Sequence, residues 1–229
     1  MRLSVLIPVY NEAATITQVV ERVMAVDVDK EIIIVDDGST DSTWRVVQEL
    51  AARWPSVVRP FRHERNRGKG AALQTAAAHV TGDVVITQDA DLEYDPAEYP
   101  ILLEPFASPD VQVVYGSRNL QQNPRSSWSF YWGGRVLSWL ANLLYGSCIT
   151  DEATGYKLFR ADLFRSLEIQ AGGFEFCPEV TAKILRRGIS IHEVPITYRP
   201  RSRREGKKIH WRDGLLAIWT LIRYRFFGE

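Results

Sequence analysis

Three carboxylates, Asp89, Asp91 and Glu93, stand two residues apart just past the apolar run DVVIT, residues 83–87. In an extended segment that spacing puts all three on one face. Three like charges there repel unless a cation neutralises them, and hard oxygen donors suit Mg2+ or Mn2+ shared with substrate phosphates. The competing reading is a solvated acidic turn closed by Asp95-Pro96, and the place just past a buried strand favours the metal. A second acidic pair, Asp36 and Asp37, follows EIIIV in the same position. A carboxylate there can accept hydrogen bonds from a ribose or a base. Helix capping is the other use, but Ser39, Thr40, Asp41 and Ser42 already serve it, so Asp37 is read as ligand-facing. Charge reverses toward the other end of the chain. Eleven Lys or Arg lie from Arg186 to Arg225, against only Glu193, Glu205 and Asp213. The planar fork of arginine suits phosphate oxygens. Arg201, Arg203, Arg204, Lys207 and Lys208 are therefore either a phosphate-binding tail or a solvated basic loop.

These residues need elements to hold them. Leu3 to Val9 and Glu31 to Val35 are continuous apolar runs, the mark of strands buried on both faces of a parallel sheet. Asn11 and Glu12 are expected to open a helix through Ala25, with Ile16, Val19, Val20 and Val23 at helical spacing. Thr40-Asp41-Ser42 is expected to cap a helix carrying Val46, Val47, Leu50 and Ala51. A weaker strand over 57–62 leads to Gly68-Lys69-Gly70 and an alanine-rich helix over 71–79. The glycines lack the GxxxxGK[ST] spacing of a phosphate loop, which argues against Walker-type chemistry. They are read as letting the helix start close to the sheet. The strand 83–87 then delivers Asp89 and Asp91. Such alternation predicts a three-layer α/β domain with a mostly parallel sheet and ligands beyond the carboxyl ends of its strands. The second half reads as a strand over 111–115, a polar loop over 119–127 and a helix over 128–144 with Trp132, Val136, Leu140 and Leu144 down one side. A turn and short strand within 149–160, a helix over 179–187, a strand over 189–198, a basic loop over 199–208 and a helix over 211–227 complete it.

Composition narrows the function classes. The 229 residues make one domain, or one domain with an appendage. A hydrophobic share of 45% and a charged share of 24% exclude disorder and fibrous repeats. Lys plus Arg and Asp plus Glu each number 28, so no global basic field points to nucleic acid. Cys148 and Cys177 are too few for a disulfide framework or a four-thiolate zinc site, and they suit a reducing, cytosolic compartment. Cys177 reads as a small buried residue, and His63, His79, His192 and His210 show no ligand spacing. The N-terminal MRLSVLIPVYNE reads as a first strand rather than a signal peptide. No apolar run reaches the roughly 18 residues of a membrane span.

LSVLIPVYNE, IIIVDDGSTD, NRGKGAAL, DAD and YGSR, in this order, resemble the family-2 glycosyltransferases. The likeness is greatest to the polyprenyl-phosphate sugar transferases, of the dolichyl-phosphate mannose or glucose synthase type. It implies a GT-A type nucleotide-diphospho-sugar transferase domain over 1–208, followed by an amphipathic helix over 209–229, and inversion at the sugar carbon. By the resemblance, Pro8, Tyr10 and Glu12 line the nucleotide, with Val35 and Asp37 on the base and ribose. Asp89, Ala90 and Asp91 reach the sugar and diphosphate, and Asp91 and Glu93 hold the Mg2+ or Mn2+. The position of Glu93 is often Gln in dolichyl-phosphate mannose synthases, which implies a shifted metal preference. DEATGYK, 151–157, loosely matches the family's acidic turn. FEFCPE, 174–179, matches the acceptor side, with Glu179 on the family's acid position. Glu193-Val-Pro-Ile followed by Arg201 and Arg203 matches the tail over the phosphates, and Arg118 and Arg135 fall on arginine positions. The implied catalytic set is Asp89, Asp91, Arg118 and Arg201.

The reaction expected is transfer of a sugar, mannose or glucose first, from a GDP- or UDP-sugar to a polyprenyl or dolichyl phosphate on the cytosolic membrane face. An acceptor already ionised near neutral pH needs no strong base, so the work is positioning and charge neutralisation. Two alternatives stand beside it. A hydroxyl acceptor would need a general base, Asp151 or Glu179. An idle sugar-nucleotide binding module is the other, and the intact DAD counts against it. In the last helix Trp211, Leu215, Trp219, Ile222 and Phe226 form an apolar stripe beside Arg212, Arg223 and Arg225, the composition of a helix resting in a membrane interface. Packing of that stripe on the protein's own sheet or on a second subunit is the alternative. A separate membrane-anchoring partner or a homodimer is compatible with either.

Overall fold

The structure, a computed structural model, describes residues 1–124, 128–201 and 211–228. Along the chain run β1 (Leu3–Val9), α1 (Ile16–Ala25), β2 (Lys30–Asp36), α2 (Thr43–Arg53), β3 (Val58–Arg62), α3 (Lys69–Ala77) and β4 (Val84–Thr87). The second half holds α4 (Tyr99–Leu103), β5 (Val113–Ser117), α5 (Trp128–Tyr145), β6 (Lys157–Arg160), α6 (Ala161–Ser166), α7 (Phe176–Arg186), β7 (Ile191–Pro195) and α8 (Trp211–Phe226). The strands form one sheet in the order β3-β2-β1-β4-β6-β5-β7. All neighbours pair parallel except β6, which runs antiparallel to β4 and β5. The mostly parallel α/β sheet expected from the sequence is therefore present, with one reversed strand.

The continuous apolar runs are two alternating faces, both covered. Val5, Ile7, Ile32, Ile34, Val84 and Ile86 pack with Ile16, Val19 and Val20 of α1 and Val47 of α2. Leu6, Ile33, Val35 and Val85 pack with Leu73 of α3 and Val180 of α7 on the other side. Each is at most 1% exposed, and burying one such side chain is worth about 1.5–3 kcal/mol. This rigid double layer fixes where β1, β2 and β4 end, and so fixes the residues that follow them.

Element boundaries move where side chains take over from the backbone. Helix α1 starts at Ile16 rather than at Asn11, because Asn11 adopts a left-handed φ of 50°. Its Oδ1 accepts from the Thr40 N–H at 2.9 Å, and its own N–H donates to Ser39 Oγ at 2.9 Å. The loops after β1 and β2 are thus laced together. Asparagine suits this, tolerating the left-handed region and bonding nearby backbone. The polar segment after β5 is tied down as well. Asn123 Nδ2 donates to the carbonyls of Arg118 and Ile196, and its Oδ1 accepts from the Tyr198 N–H.

A third cluster, Ala141, Ile149, Ala182, Leu221 and Tyr224, joins α5, α7 and α8. Helix α8 buries Ala217, Thr220, Leu221 and Tyr224. The stripe expected to be apolar faces outward, with Trp211 72%, Leu215 57%, Trp219 53% and Phe226 67% exposed. Helix α5 does the same with Trp128, Trp132, Val136, Trp139 and Leu143. Of the residues read down one side of α5, Trp132 and Val136 lie exposed on its outer face. No helix among the described residues is long and apolar enough to cross a membrane.

Candidate functional site

The carboxyl ends of β1, β2 and β4 bring four acidic side chains and two cations together. Strand β1 delivers Pro8, half-buried and registered against Val35 of β2, and then Tyr10 and Glu12. Val35 itself is fully buried in the sheet. After β4 the chain bends rather than extends, so Asp89, Asp91 and Glu93 do not share one face. Asp91 Oδ1 accepts from the Glu93 N–H at 3.1 Å, a local turn that competes with the extended conformation. Among the described residues no three carboxylate, thiol or imidazole groups converge as a metal cage.

Asp89 and Asp91 pair with different cations instead. Asp89 Oδ1 pairs with the ammonium of Lys69, at the first turn of α3. Asp91 Oδ2 accepts from Arg201 Nη2 at 2.8 Å. Arg201 also reaches Glu12, with Nη1 3.2 Å from Oε2. Burial first, and then the charges of Asp89 and Glu93, push the Asp91 carboxyl up to about 7, while Arg201 works against them. Burial alone would lower the Lys69 ammonium, but Asp89 more than offsets it and holds the group above the usual lysine range. This surplus of half-buried negative charge fits a cation. Asp91 and its neighbours are the hard oxygen donors that would hold Mg2+ or Mn2+.

Glu93, expected as a metal ligand, holds the 198–201 segment in this structure. Its Oε1 accepts from the Arg201 N–H at 2.7 Å, its Oε2 from the Tyr198 hydroxyl at 2.8 Å, and its carbonyl from the Arg199 N–H at 2.9 Å. It buckles the 198–201 segment across the acidic edge. Ala90 is 5% exposed, and its carbonyl accepts from Thr15 Oγ1 at the start of α1.

Asp37 sits past β2 as expected but is only 3% exposed. Its Oδ1 accepts from the Arg67 N–H at 2.9 Å and lies 2.7 Å from His63 Nδ1, while Oδ2 accepts from the Gly68 N–H at 2.7 Å. Asp37 therefore anchors the 63–68 loop. That loop sets α3, and with it Lys69. Gly70 admits a different neighbour from the sheet read from the sequence. A Cβ there would lie 2.1 Å from the Ala171 carbonyl oxygen, so the glycine lets the 171–172 backbone close over α3. The Ala71 N–H then donates to the Gly172 carbonyl at 3.0 Å.

The other expected residues separate. Arg118 forms a bidentate pair with Asp151, Nε to Oδ2 at 2.7 Å and Nη2 to Oδ1 at 2.8 Å. Burial would raise the Asp151 carboxyl, but the Arg118 charge and hydrogen bonds hold it below the usual carboxylate range. The Glu193 carboxylate in turn accepts from the Thr150 and Asp151 N–H groups, at 2.7 and 3.0 Å. Glu179 is fully buried, which corrects its expected place on the acceptor side. Its oxygens take the Gln170 and Ala171 N–H groups, the Tyr224 hydroxyl and Lys183. It holds the 170–171 turn and α8 to α7. Arg135 is exposed on the middle of α5. Arg203, with Arg204, Lys207 and Lys208, lies outside the described residues. Sequence reasoning did not place Lys69 among the candidate site residues. The available signal was a lysine between two glycines at the start of the helix that leads into the DAD strand.

Comparison with known proteins agrees with this architecture. Residues 4–167 match the family model Glycosyl transferase family 2. The chain is 30% identical over 253 residues to an undecaprenyl-phosphate mannosyltransferase of Micrococcus luteus, covering 98% of this chain and 99% of that protein. It is 29% identical over 216 residues to a dolichol-phosphate mannosyltransferase of Pyrococcus furiosus, covering 90% of this chain. The chain spans only 59% of the Pyrococcus protein's length. Among solved structures it is similar to glucosyl-3-phosphoglycerate synthase from Mycobacterium tuberculosis, crystallised with Mn2+ and UDP-glucose. The TM-score is 0.72 and the identity 24%, covering 97% of this chain and 78% of that one. That likeness shows the fold, a GT-A type sheet. The acidic edge after β1, β2 and β4 and the family match, which takes in all of those strands, together place the chain in Glycosyl transferase family 2.

Proposed function

We propose that this chain transfers a sugar from a UDP- or GDP-sugar to a polyprenyl phosphate at a membrane surface, as a metal-dependent, inverting glycosyltransferase. The observation that carries the reading is the pairing of Asp91 with Arg201 and of Asp89 with Lys69 at the carboxyl edge of the sheet. Carboxylates and cations held together there can take a metal–diphosphate and its counter-charges without large rearrangement. A bound Mg2+ or Mn2+ would supply charge neutralisation at the diphosphate as the sugar leaves. The chain's own residues do the rest. Pro8, Tyr10, Glu12 and Val35 shape the nucleotide end, with Asp37 setting the loop beside it. Lys69 and Arg201 offer charge-assisted bonds to phosphate oxygens. Arg118, locked in position by Asp151, presents a cation toward the acceptor side.

Two features favour a phosphate acceptor over a hydroxyl. The candidate bases are engaged, Asp151 by the Arg118 fork and Glu179 by Lys183 in the interior. An ionised phosphate needs neither. The relatives named above are polyprenyl-phosphate transferases, and the outward aromatic faces of α5 and α8 suit a protein resting on a bilayer to reach such an acceptor. The cytosolic face is the side where nucleotide-sugars are made, and it belongs to the same proposal. The test is turnover of a panel of UDP- and GDP-sugars with polyprenyl phosphate in vesicles, against soluble saccharide acceptors. Transfer confined to the lipid, absent in Asp91→Ala, supports the reading. Transfer to soluble saccharides with the lipid ignored overturns it.

A further inference from the structure

The 198–201 segment lies across the acidic edge in a way that bears on when a metal can enter. Both oxygens of Asp91 are in use, Oδ1 by the Glu93 N–H at 3.1 Å and Oδ2 by Arg201 Nη2 at 2.8 Å. An ion drawn to Asp91 would compete with the guanidinium for that carboxylate, above all at Oδ2, where the charged contact is the shorter. The contacts of Arg201 to Glu12 are longer, 3.2 to 3.3 Å. The pair is mostly sheltered, with side-chain exposures of 18% for Arg201 and 14% for Asp91, so water replaces the lost bond poorly. A diphosphate changes this balance, because its oxygens offer the planar fork a new charged partner.

The backbone is arranged for such an exchange. Glu93 pins the Arg201 N–H, the Tyr198 hydroxyl and the Arg199 N–H. The guanidinium can therefore swing on its own side chain while the segment stays buckled. Lys69 stands in the same relation to Asp89.

We propose that Arg201 makes divalent-ion binding conditional on a diphosphate: its guanidinium neutralises Asp91, in competition with an ion that would be held there, and leaves when phosphate oxygens can receive it. The proposal rests on the nucleotide-sugar reading above and names the residue that selects a metal–diphosphate over free metal. Arg201 thus acts as a specificity determinant for the charged form of the donor.

The test is titration of the full-length chain with MnCl2, followed by the electron spin resonance of unbound Mn2+, alone and with saturating UDP or GDP. For the wild type, nucleoside diphosphate should tighten Mn2+ binding by a factor between about 5 and 150. Arg201→Gln, checked for folding by circular dichroism, should bind Mn2+ alone about tenfold more tightly than wild type, a change of about 1.4 kcal/mol. Its enhancement by nucleotide should shrink in proportion. Arg201→Lys keeps the charge and should stay near wild type without nucleotide. If Arg201→Gln binds Mn2+ alone no more tightly than wild type, or if Arg201→Lys behaves like Arg201→Gln, the proposal is overturned. Asp91→Asn separates the two levels of argument. If it loses Mn2+ binding as expected while Arg201→Gln shows no gain, only the role of Arg201 falls. If Asp91→Asn binds Mn2+ like wild type, or the wild type binds Mn2+ under neither condition, the nucleotide-sugar reading fails with it.

Discussion

Asp89 and Asp91 lie two residues apart yet answer to different parts of the chain, Lys69 from α3 and Arg201 from beyond β7. The division has consequences for single substitutions. Lys69→Met removes a charge that Asp89 needs and that a diphosphate would use. It should lower kcat/KM for sugar transfer by about 100-fold, the usual scale for losing one electrostatic contact to developing charge. An unchanged rate would remove Lys69 from the site. Asp151 gives a second case, with Arg118 locked against it. Asp151→Asn leaves the half-buried guanidinium without a counter-charge and should cost about 3 kcal/mol, read as a fall in Tm of about 6–12 °C. The pH dependence has a definite sign. The folded-state pKa of Asp151 is depressed, so its stabilisation is present above the ordinary carboxylate range and is lost as pH falls through the folded value. The asparagine variant should lose that part of the acid dependence, and an identical acid limb would contradict the assignment. None of these partners is near in sequence. Lys69 precedes Asp89 by twenty residues and Arg201 follows Asp91 by 110. Residue types at strand ends were legible, whereas the pairs were not, because they depend on where the chain returns.

At the level of elements, the strands were the most readable part of the sequence. Runs such as LSVLIPV and EIIIV can only be satisfied with helices on both faces of the sheet. Helix starts were less readable, because Asn11 and the Gly68–Gly70 segment form turns whose partners, Thr40 and the 171–172 backbone, lie in other loops. Glu179 shows the same limit. Its position in FEFCPE suggested an acceptor-side acid, yet its partners turn it inward as a clamp on the 170–171 turn and on Tyr224. Gly70→Ala tests the close approach. A Cβ 2.1 Å from a backbone oxygen cannot be relieved by a side-chain rotation, so thermal melting should show a loss of about 3 kcal/mol. A melting temperature within a degree of wild type would mean that the 171–172 segment yields easily. Tyr224→Phe removes the hydroxyl that donates to Glu179. It should cost about 1 kcal/mol, about 2–4 °C in Tm.

Seen whole, the molecule carries its chemistry at one edge of the sheet and an aromatic surface on α5 and α8, joined through Leu221 and Tyr224. The amphipathic character of α8 was readable from Trp211, Leu215, Trp219 and Phe226. The contribution of α5 was not, because its Trp128, Trp132 and Trp139 look the same in sequence whether they face a core or solvent. Removing α8 altogether would uncover Ile149 and Ala182, so point substitutions are the cleaner probe. Trp139→Ser combined with Trp219→Ser should reduce co-sedimentation with anionic liposomes at least about tenfold, since each buried aromatic contributes roughly 1.5–3 kcal/mol. Nucleotide-sugar binding should be unaffected, because neither tryptophan is near β1, β2 or β4. Equal liposome binding by the double variant would assign these faces to another partner.

The most direct measurement follows radiolabelled sugar from UDP- and GDP-sugars into polyprenyl phosphate in vesicles, with Mn2+ or Mg2+ present or chelated, for the wild type and Asp91→Ala. The account predicts labelled polyprenyl phospho-sugar with at least one donor, dependent on the divalent ion and absent in the variant. Undiminished transfer by Asp91→Ala in chelator would contradict it, as would label appearing only in soluble saccharides.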